Sequence, residues 1–375
     1  MANIVIVGGG NQAHALIGTL SGKNHSVSIL TRKAKEIEQK LKDYNGIAIF
    51  HAAKNVTQFA KPDKVTDAAK EIIPHADIIL ITNPANDRER VLKQIKPHLS
   101  KNKRVFVGAI PGWGGFHWLV EKELGNEKNI ITWGLKDTPV MASHLNPGVS
   151  VTQLGEKNTL YFAINKPSTD KIEHTKYILQ TIFDAELAYC ENFLEFSLCA
   201  GNPIEHLPIL YGKIGPYSQW DGTPFSQQPL FYEDISELEA YFVKRADEEQ
   251  QKLVKTIRNS YQMKMDNAIP LQEDIIKIYG DQVKDKSTLY KTIKTNTAYK
   301  SIKMPMKKGE QGYELDFDHR IFSEDIPFGL DILIEIGKIL AIETPFLTEL
   351  KRWLSTIGAN YPRSALDYIP EKAIY

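Results

Sequence analysis

Short apolar runs separated by amphipathic stretches fill the first half of the chain. NIVIV (3–7), SVSILT (26–31), DIILIT (77–82) and RVFVGAI (104–110) are rich in β-branched residues and largely apolar, with little strict alternation. Such runs suit strands covered on both faces. NIITWGL (129–135) and TLYFAI (159–164) continue the series, while AHALIGTL (13–20) and KEIEQKLKDY (35–44) carry helical spacing between strands. Strand–helix alternation of this kind predicts a mainly parallel, doubly wound α/β sheet with helices on both faces.

The pattern changes near residue 190. ELEAYFVKRADEEQQKLVKTIRNSY (237–261) and FGLDILIEIGKILAI (328–342) repeat apolar positions at helical spacing, and strand runs disappear. This predicts an all-α second domain. The boundary falls between 185 and 200 and is drawn as 1–190 and 191–375. No Gly/Ser linker intervenes, so a helix is expected to run across the join, with LEFSLCAG (194–201) marking its end.

Composition changes the picture only by exclusion. A length of 375 residues is more than one core serves, in keeping with two domains. Lys+Arg and Asp+Glu both count 46, so the basic footprint of a nucleic-acid binder is missing. Cys190 and Cys199 are too few for a disulfide framework or a cysteine-based metal site, and no metal is expected. No apolar run reaches the ~18 residues a membrane span needs. NIVIV leads straight into glycines and, as a core strand, is not a cleaved leader. The expectation is a cytoplasmic protein, monomeric or homodimeric, that works on small molecules.

Candidate chemistry begins at VGGGNQAHA (7–15). Gly8, Gly10 and Ala13 match the G-x-G-x-x-G/A spacing of a Rossmann dinucleotide site, with Asn11 between them. Gly8 permits the tight turn out of the strand, Gly10 lets a pyrophosphate approach the backbone, and Ala13 lets the helix pack close to the sheet. The helix N-terminus adds unpaired N–H groups and partial positive charge. The motif follows a strand, opens a helix and precedes a second strand, which is the context it requires. At that second strand's tip stand Thr31, Arg32 and Lys33, with no acid. Cations there suit a 2′-phosphate, so NADPH is favoured and NADH remains an alternative. ITNPA (81–85) and GAIPGWGGF (108–116) follow strands at the ligand-binding edge of such sheets. Pro84 and the loop bearing Trp113 are therefore expected to line the nicotinamide pocket.

GNPIEHLPILYGKIG (201–215) is the most informative stretch of the second half. Asn202 followed by Pro203 reads as an N-cap with proline at the first helical position. His206 then lies one turn on, on the same face, and is suited to acid–base work near neutral pH. RIFSEDIPFGL (320–330) offers Arg320 to fork a carboxylate and Asp325 to orient the histidine. A lone histidine is more often a packing residue, and Asp325 before Pro327 also reads as a plain helix cap. Sequence alone does not join the two segments.

These segments, together with WDGTPFSQQPLFYEDI (220–235), LYKTIKTNTAYKSIKMP (289–305) and EDIPFGL (324–330), resemble the octopine/nopaline dehydrogenases over nearly the whole chain. The resemblance implies a Rossmann domain followed by a helical domain, with the active site in the cleft between them. It implies NAD(P)H-dependent reductive condensation of a 2-oxo acid, pyruvate or 2-oxoglutarate, with an amino acid through an imine. His206 then corresponds to the catalytic histidine and Asp325 to its acidic partner. Arg320 corresponds to a carboxylate-binding arginine, and Asn202 and Thr138 to substrate-contacting positions. Trp113 stands where some members have glutamine, which reshapes the substrate pocket. Two alternatives are a reductase of free 2-oxo acids on the same plan and a non-catalytic NADP-binding sensor.

Overall fold

The computed structural model describes residues 1–374. The chain divides into two compact units, Met1–Phe196 and Ser197 onward.

The first unit is built on β1 (Asn3–Val7), α1 (Asn11–Leu20), β2 (Ser26–Leu30), α2 (Ala34–Tyr44), β3 (Ile47–His51), β4 (Val56–Ala60), β5 (Lys64–Thr66), β6 (Ile78–Ile81), α3 (Ala85–Ile95), β7 (Val105–Ala109), α4 (Phe116–Leu124), β8 (Ile130–Leu135), β9 (Val140–Asn146), β10 (Ser150–Glu156), β11 (Thr159–Ile164), α5 (Thr169–Ile182) and β12 (Glu186–Tyr189). Eight strands form one sheet in the order β12-β11-β8-β7-β6-β1-β2-β5. All neighbours run parallel except β8 and β11. Every residue of β6 and β7 is buried, as their unbroken apolar runs require. The chain leaves β1 for β2 and β5 on one side and returns to β6 on the other. This reversal is the topological switch point, where such sheets open a ligand crevice.

A second sheet, β4-β3-β10-β9, was not anticipated from sequence. Its strands are only half-buried, and Phe50, Val56, Phe59, Met141 and Leu154 stand exposed, so they lack the long apolar runs that mark the main sheet. It covers α1, which accounts for that helix being buried almost all round: Ala13, His14, Ala15, Leu16, Ile17, Gly18 and Leu20 are all buried.

The second unit is mostly helical: α6 (Leu194–Leu198), which straddles the division, then α7 (Gly201–Ile214), α8 (Glu237–Ser260), α9 (Leu271–Tyr279), α10 (Leu289–Lys294), a π-helix (Ile321–Leu330), α11 (Asp331–Ile339) and α12 (Pro345–Thr356). One small hairpin, β13 (Met306–Lys308) with β14 (Tyr313–Leu315), corrects the expectation of no strands there. Three-residue strands are too short to leave a periodic signal. The long helix α8 begins with a capping box of Ser236 and Glu239. Its inward acids close other helices. Asp247 accepts from Leu271 N at the start of α9, and Glu249 accepts from Phe346 N and Leu347 N at the start of α12.

The π-helix explains how two distant segments meet. Pro327 has no N–H for a bond to residue i−4, and its ring pushes on that carbonyl. The turn widens, and Asp331 N bonds back to Ile326 O, five residues earlier. Gly329 then lies so close to α7 that a Cβ on it would stand 2.0 Å from Pro203 Cγ. Pro203 is three residues before His206, and Gly329 is four after Asp325. The missing side chain lets the two helices close at that level.

Candidate active site

In the first unit, a crevice of about 590 Å³ lies over the C-terminal ends of β1, β2 and β6. Gly8, Gly10, Thr31, Arg32, Thr82 and Pro84 are among its walls. Gly8 has φ +132°, and a Cβ there would meet Thr82 Oγ1 at 2.3 Å. Gly10 faces open space, with nothing within 4 Å of where a Cβ would be. No side chain from Gly10, the N-cap residue, closes the first turn of α1, so its leading N–H groups face the crevice without a cap. Ala13 is fully buried under the helix, and Asn11 is exposed at its start. This arrangement fits a dinucleotide pyrophosphate.

His14, which sequence reasoning passed over, fixes the glycine loop. Its Nε2 accepts from Gly148 N at 2.9 Å, so Nδ1 carries the hydrogen and donates to Gly10 O at 3.0 Å. Burial lowers its pKa and keeps the ring neutral.

The β2 tip is basic, as expected. Thr31 is buried and its Oγ1 accepts from Lys33 N, while the Arg32 side chain is 75% exposed. An acid does enter the crevice, but from α3. Asp87 is forked by Arg90 at 2.6 and 2.8 Å, with Arg32 3.8 Å away. Burial alone would raise the Asp87 carboxyl; Arg90, Arg32 and Asn83 bring it below the usual range instead.

Arg88 is 1% exposed and ties two loops together. Its Nε donates to Asn83 O at 3.2 Å, Nη2 to Pro111 O at 2.9 Å and Nη1 to Trp113 O at 2.5 Å. Trp113 itself is buried, so its indole is a packing group where sequence placed it in a pocket-lining loop. Thr138 is partly buried in the loop between β8 and β9.

In the second unit the structure brings His206 and Asp325 together, 119 residues apart in sequence, with Nδ1 2.7 Å from Oδ2. Asp325 is 1% exposed and the His206 side chain 17%. The other ring nitrogen, Nε2, meets Tyr232 Oη at 2.9 Å. Phe231 packs edge-on against the imidazole, and Tyr232 stacks on Tyr299 at 4.2 Å. Arg320 stands at the head of the π-helix, largely exposed, with Nη2 3.0 Å from the buried Glu324. Asn202 is partly buried. It is not the N-cap: α7 starts at Gly201 after Ala200, which places Asn202 within the first turn and Pro203 after it. Proline is tolerated anywhere in that turn, so the dipeptide fixed the helix start only to within two residues.

Glu205 was also missed. It is buried beside His206, and its Oε1 makes no hydrogen bond among the described residues. Burial pushes its carboxyl up to about 7, against the downward pull of His206 and of a bond from Tyr299. His319 lies close enough to feel His206 and Asp325. Burial first, then Arg320 and His206, hold its pKa below the usual histidine value. Neither Glu205, Tyr232 nor His319 has a spacing signature; Glu205 and Tyr232 lie inside segments that carry the family resemblance, and His319 lies just before one.

Family models match both halves of the chain. Residues 189–358 match the NAD/NADP octopine/nopaline dehydrogenase alpha-helical domain, and residues 3–107 match NADP oxidoreductase coenzyme F420-dependent. The chain is 31% identical over 373 residues to the tauropine dehydrogenase of Arabella iricolor, spanning 96% of this chain and 93% of that one. It is 31% identical over 372 residues to an uncharacterized protein of Sinorhizobium fredii, spanning 98% of each. A solved octopine dehydrogenase, described with NADH and L-arginine, has a TM-score of 0.83 at 24% identity over 96% of this chain and 90% of that one. Fold and likeness together define an NAD(P)-dependent oxidoreductase acting on CH–NH bonds. The chain belongs to the octopine/opine dehydrogenase family.

Proposed function

We propose that the enzyme condenses a 2-oxo acid, pyruvate or 2-oxoglutarate, with the amino group of an L-amino acid and reduces the resulting imine, using NADPH in preference to NADH. The observation that carries this reading is the 2.7 Å Asp325–His206 pair. It is a base–orienter arrangement suited to deprotonating an amine and protonating a departing oxygen. The names of the tauropine and octopine dehydrogenase relatives accord with such substrates.

Gly8, Gly10 and Asn11 would hold the pyrophosphate, with the buried Ala13 letting α1 pack close behind it; Thr31, Arg32 and Lys33 would take the 2′-phosphate, and Pro84 lines the same crevice. When bound, the nicotinamide supplies hydride to the C=N carbon. Arg320 exchanges part of its contact with Glu324 for a substrate carboxylate, which orients that carbon. Asn202 and Thr138, both partly buried, are the further substrate-binding candidates, while the buried Trp113 shapes its loop from behind. Asp325 accepts from Nδ1–H, fixes the tautomer and stabilises the imidazolium when His206 takes up a proton.

The test follows NADPH oxidation, and NADH oxidation in parallel, with pyruvate or 2-oxoglutarate, each with and without a panel of L-amino acids. Oxidation that needs both acids is the expected result and identifies the amine. Oxidation by the keto acid alone would replace the reading with a 2-oxo acid reductase.

A further inference from the structure

Both nitrogens of His206 are occupied. The Asp325 carboxylate can only accept, so Nδ1 carries the hydrogen. Whenever the ring is neutral, Nε2 presents its single in-plane lone pair, and the Tyr232 O–H, 2.9 Å away, is the donor that meets it. The imidazole is partly exposed, yet no ring nitrogen is left with an open lone pair for a substrate. Tyr232 is not placed to leave. It is 5% exposed, stacks on Tyr299 at 4.2 Å and meets Phe231 edge-on at 4.9 Å. It is not placed to ionise at rest either. Burial, then the negative charges of Glu205 and Asp325 and the neighbouring Tyr279, raise its pKa well above that of a free phenol. The result is a fixed, protonated hydroxyl on the nitrogen that must do the chemistry.

We propose that Tyr232 is the catalytic residue that exchanges the proton with the substrate, and that His206, oriented by Asp325, acts through it. This rests on the condensation proposed above. Tyr232 Oη accepts a proton from the substrate ammonium while its own proton passes to His206 Nε2. The products are a neutral amine, an intact phenol and an imidazolium. The amine nitrogen adds to the keto carbon, and a proton moves from nitrogen to oxygen to give a neutral carbinolamine. The relay then reverses. Nε2–H returns its proton to Tyr232, and the Tyr232 hydroxyl proton goes to the carbinolamine oxygen. The C–O bond breaks with its electron pair leaving as water, and the nitrogen lone pair forms the C=N bond of a cationic iminium. One proton is taken and the same number returned, so His206 and Tyr232 end as they began.

The ionisable groups around this pair are Asp325 and His319 beside His206, with Arg320 next to His319, and Glu205, Tyr279 and Tyr299 beside Tyr232. A pH profile must therefore be compared between variants rather than read alone. The experiment is Tyr232→Phe in the full chain, measured as kcat against pH, with cofactor Kd and thermal midpoint alongside. The expected result is a kcat loss on the order of 100-fold or more, the range of a lost acid–base group, with cofactor Kd unchanged. His206→Ala should lose as much, and the double variant little more, because the two act as one unit. Incorporating 3-fluorotyrosine at 232 keeps the ring stack and makes the phenol more acidic; a shift in the kcat–pH profile is expected even if Tyr232→Phe folds poorly. If Tyr232→Phe stays within about threefold of wild type while His206→Ala is inactive, the relay is wrong and the proposed reaction stands. If neither substitution lowers turnover, the acid–base assignment of the proposed reaction fails as well.

Discussion

At the scale of single residues, the site works by giving each titratable group a different neighbour. Asp325 has no solvent to share its charge with, and its defined partner is the Nδ1–H of His206. Asp325→Asn offers an amide N–H where only an acceptor is wanted and favours the other tautomer. The expected outcome is a kcat loss on the order of 10²–10⁴-fold with cofactor Kd unchanged, checked by steady-state rates and fluorescence titration. Glu205 is governed by burial instead. Its carboxyl is raised from 4.5 to about 7, so between those values the folded protein holds a proton the unfolded chain has released. Stability from this group is full below about pH 4.5 and falls as pH rises toward 7. Glu205→Gln should remove that slope. Urea midpoints at pH 5 and pH 8 should show the wild type losing on the order of 3 kcal/mol more than the variant.

At the scale of elements, the decisive feature is a helix that is not α. Pro327 forces the 321–330 segment into wider turns, and Gly329 lets it close on Pro203 of α7. Gly329→Ala places a methyl group where the proline ring already is. It should destabilise the helical unit by about 1–3 kcal/mol, the usual cost of overpacking, and should lower kcat by separating Asp325 from His206. Thermal unfolding and kcat check the two effects, and cofactor Kd is expected to stay at the wild-type value. The same scale explains the buried acids of α8. Asp247 and Glu249 are capping groups for α9 and α12, so their burial is structural and needs no catalytic role.

At the scale of the whole molecule, 46 cationic and 46 anionic side chains leave no net field to draw an anionic cofactor. Attraction must come from local groups, and Arg32 and Lys33 stand exposed at the β2 tip, Arg32 only 3.8 Å from the Asp87 carboxylate that Arg90 already forks. Arg32→Ala is expected to weaken NADPH about tenfold, the loss of one charge-assisted contact, and to leave NADH nearly unchanged. Kd values for both cofactors at one ionic strength measure it. Equal losses for the two would place Arg32 elsewhere than at the 2′-phosphate.

Local patterns carried much of this. Unbroken β-branched runs specify strands buried on both faces, and glycine spacing specifies a backbone that a phosphate can approach; each depends on residues near one another in the chain. The doubly wound sheet, the helical second half and the glycine crevice were legible for that reason. The half-buried second sheet around α1 was not, because its short amphipathic strands acquire meaning only from what they cover. The meeting of His206 with Asp325 was suggested by family resemblance, but its 2.7 Å geometry depends on a π-helix and a Gly329–Pro203 contact between distant segments. Tyr232 on Nε2, Glu205 titrating near neutrality and Arg88 bound to three carbonyls are likewise products of packing. Burial and partner geometry set those properties, and both arise only when the chain has folded.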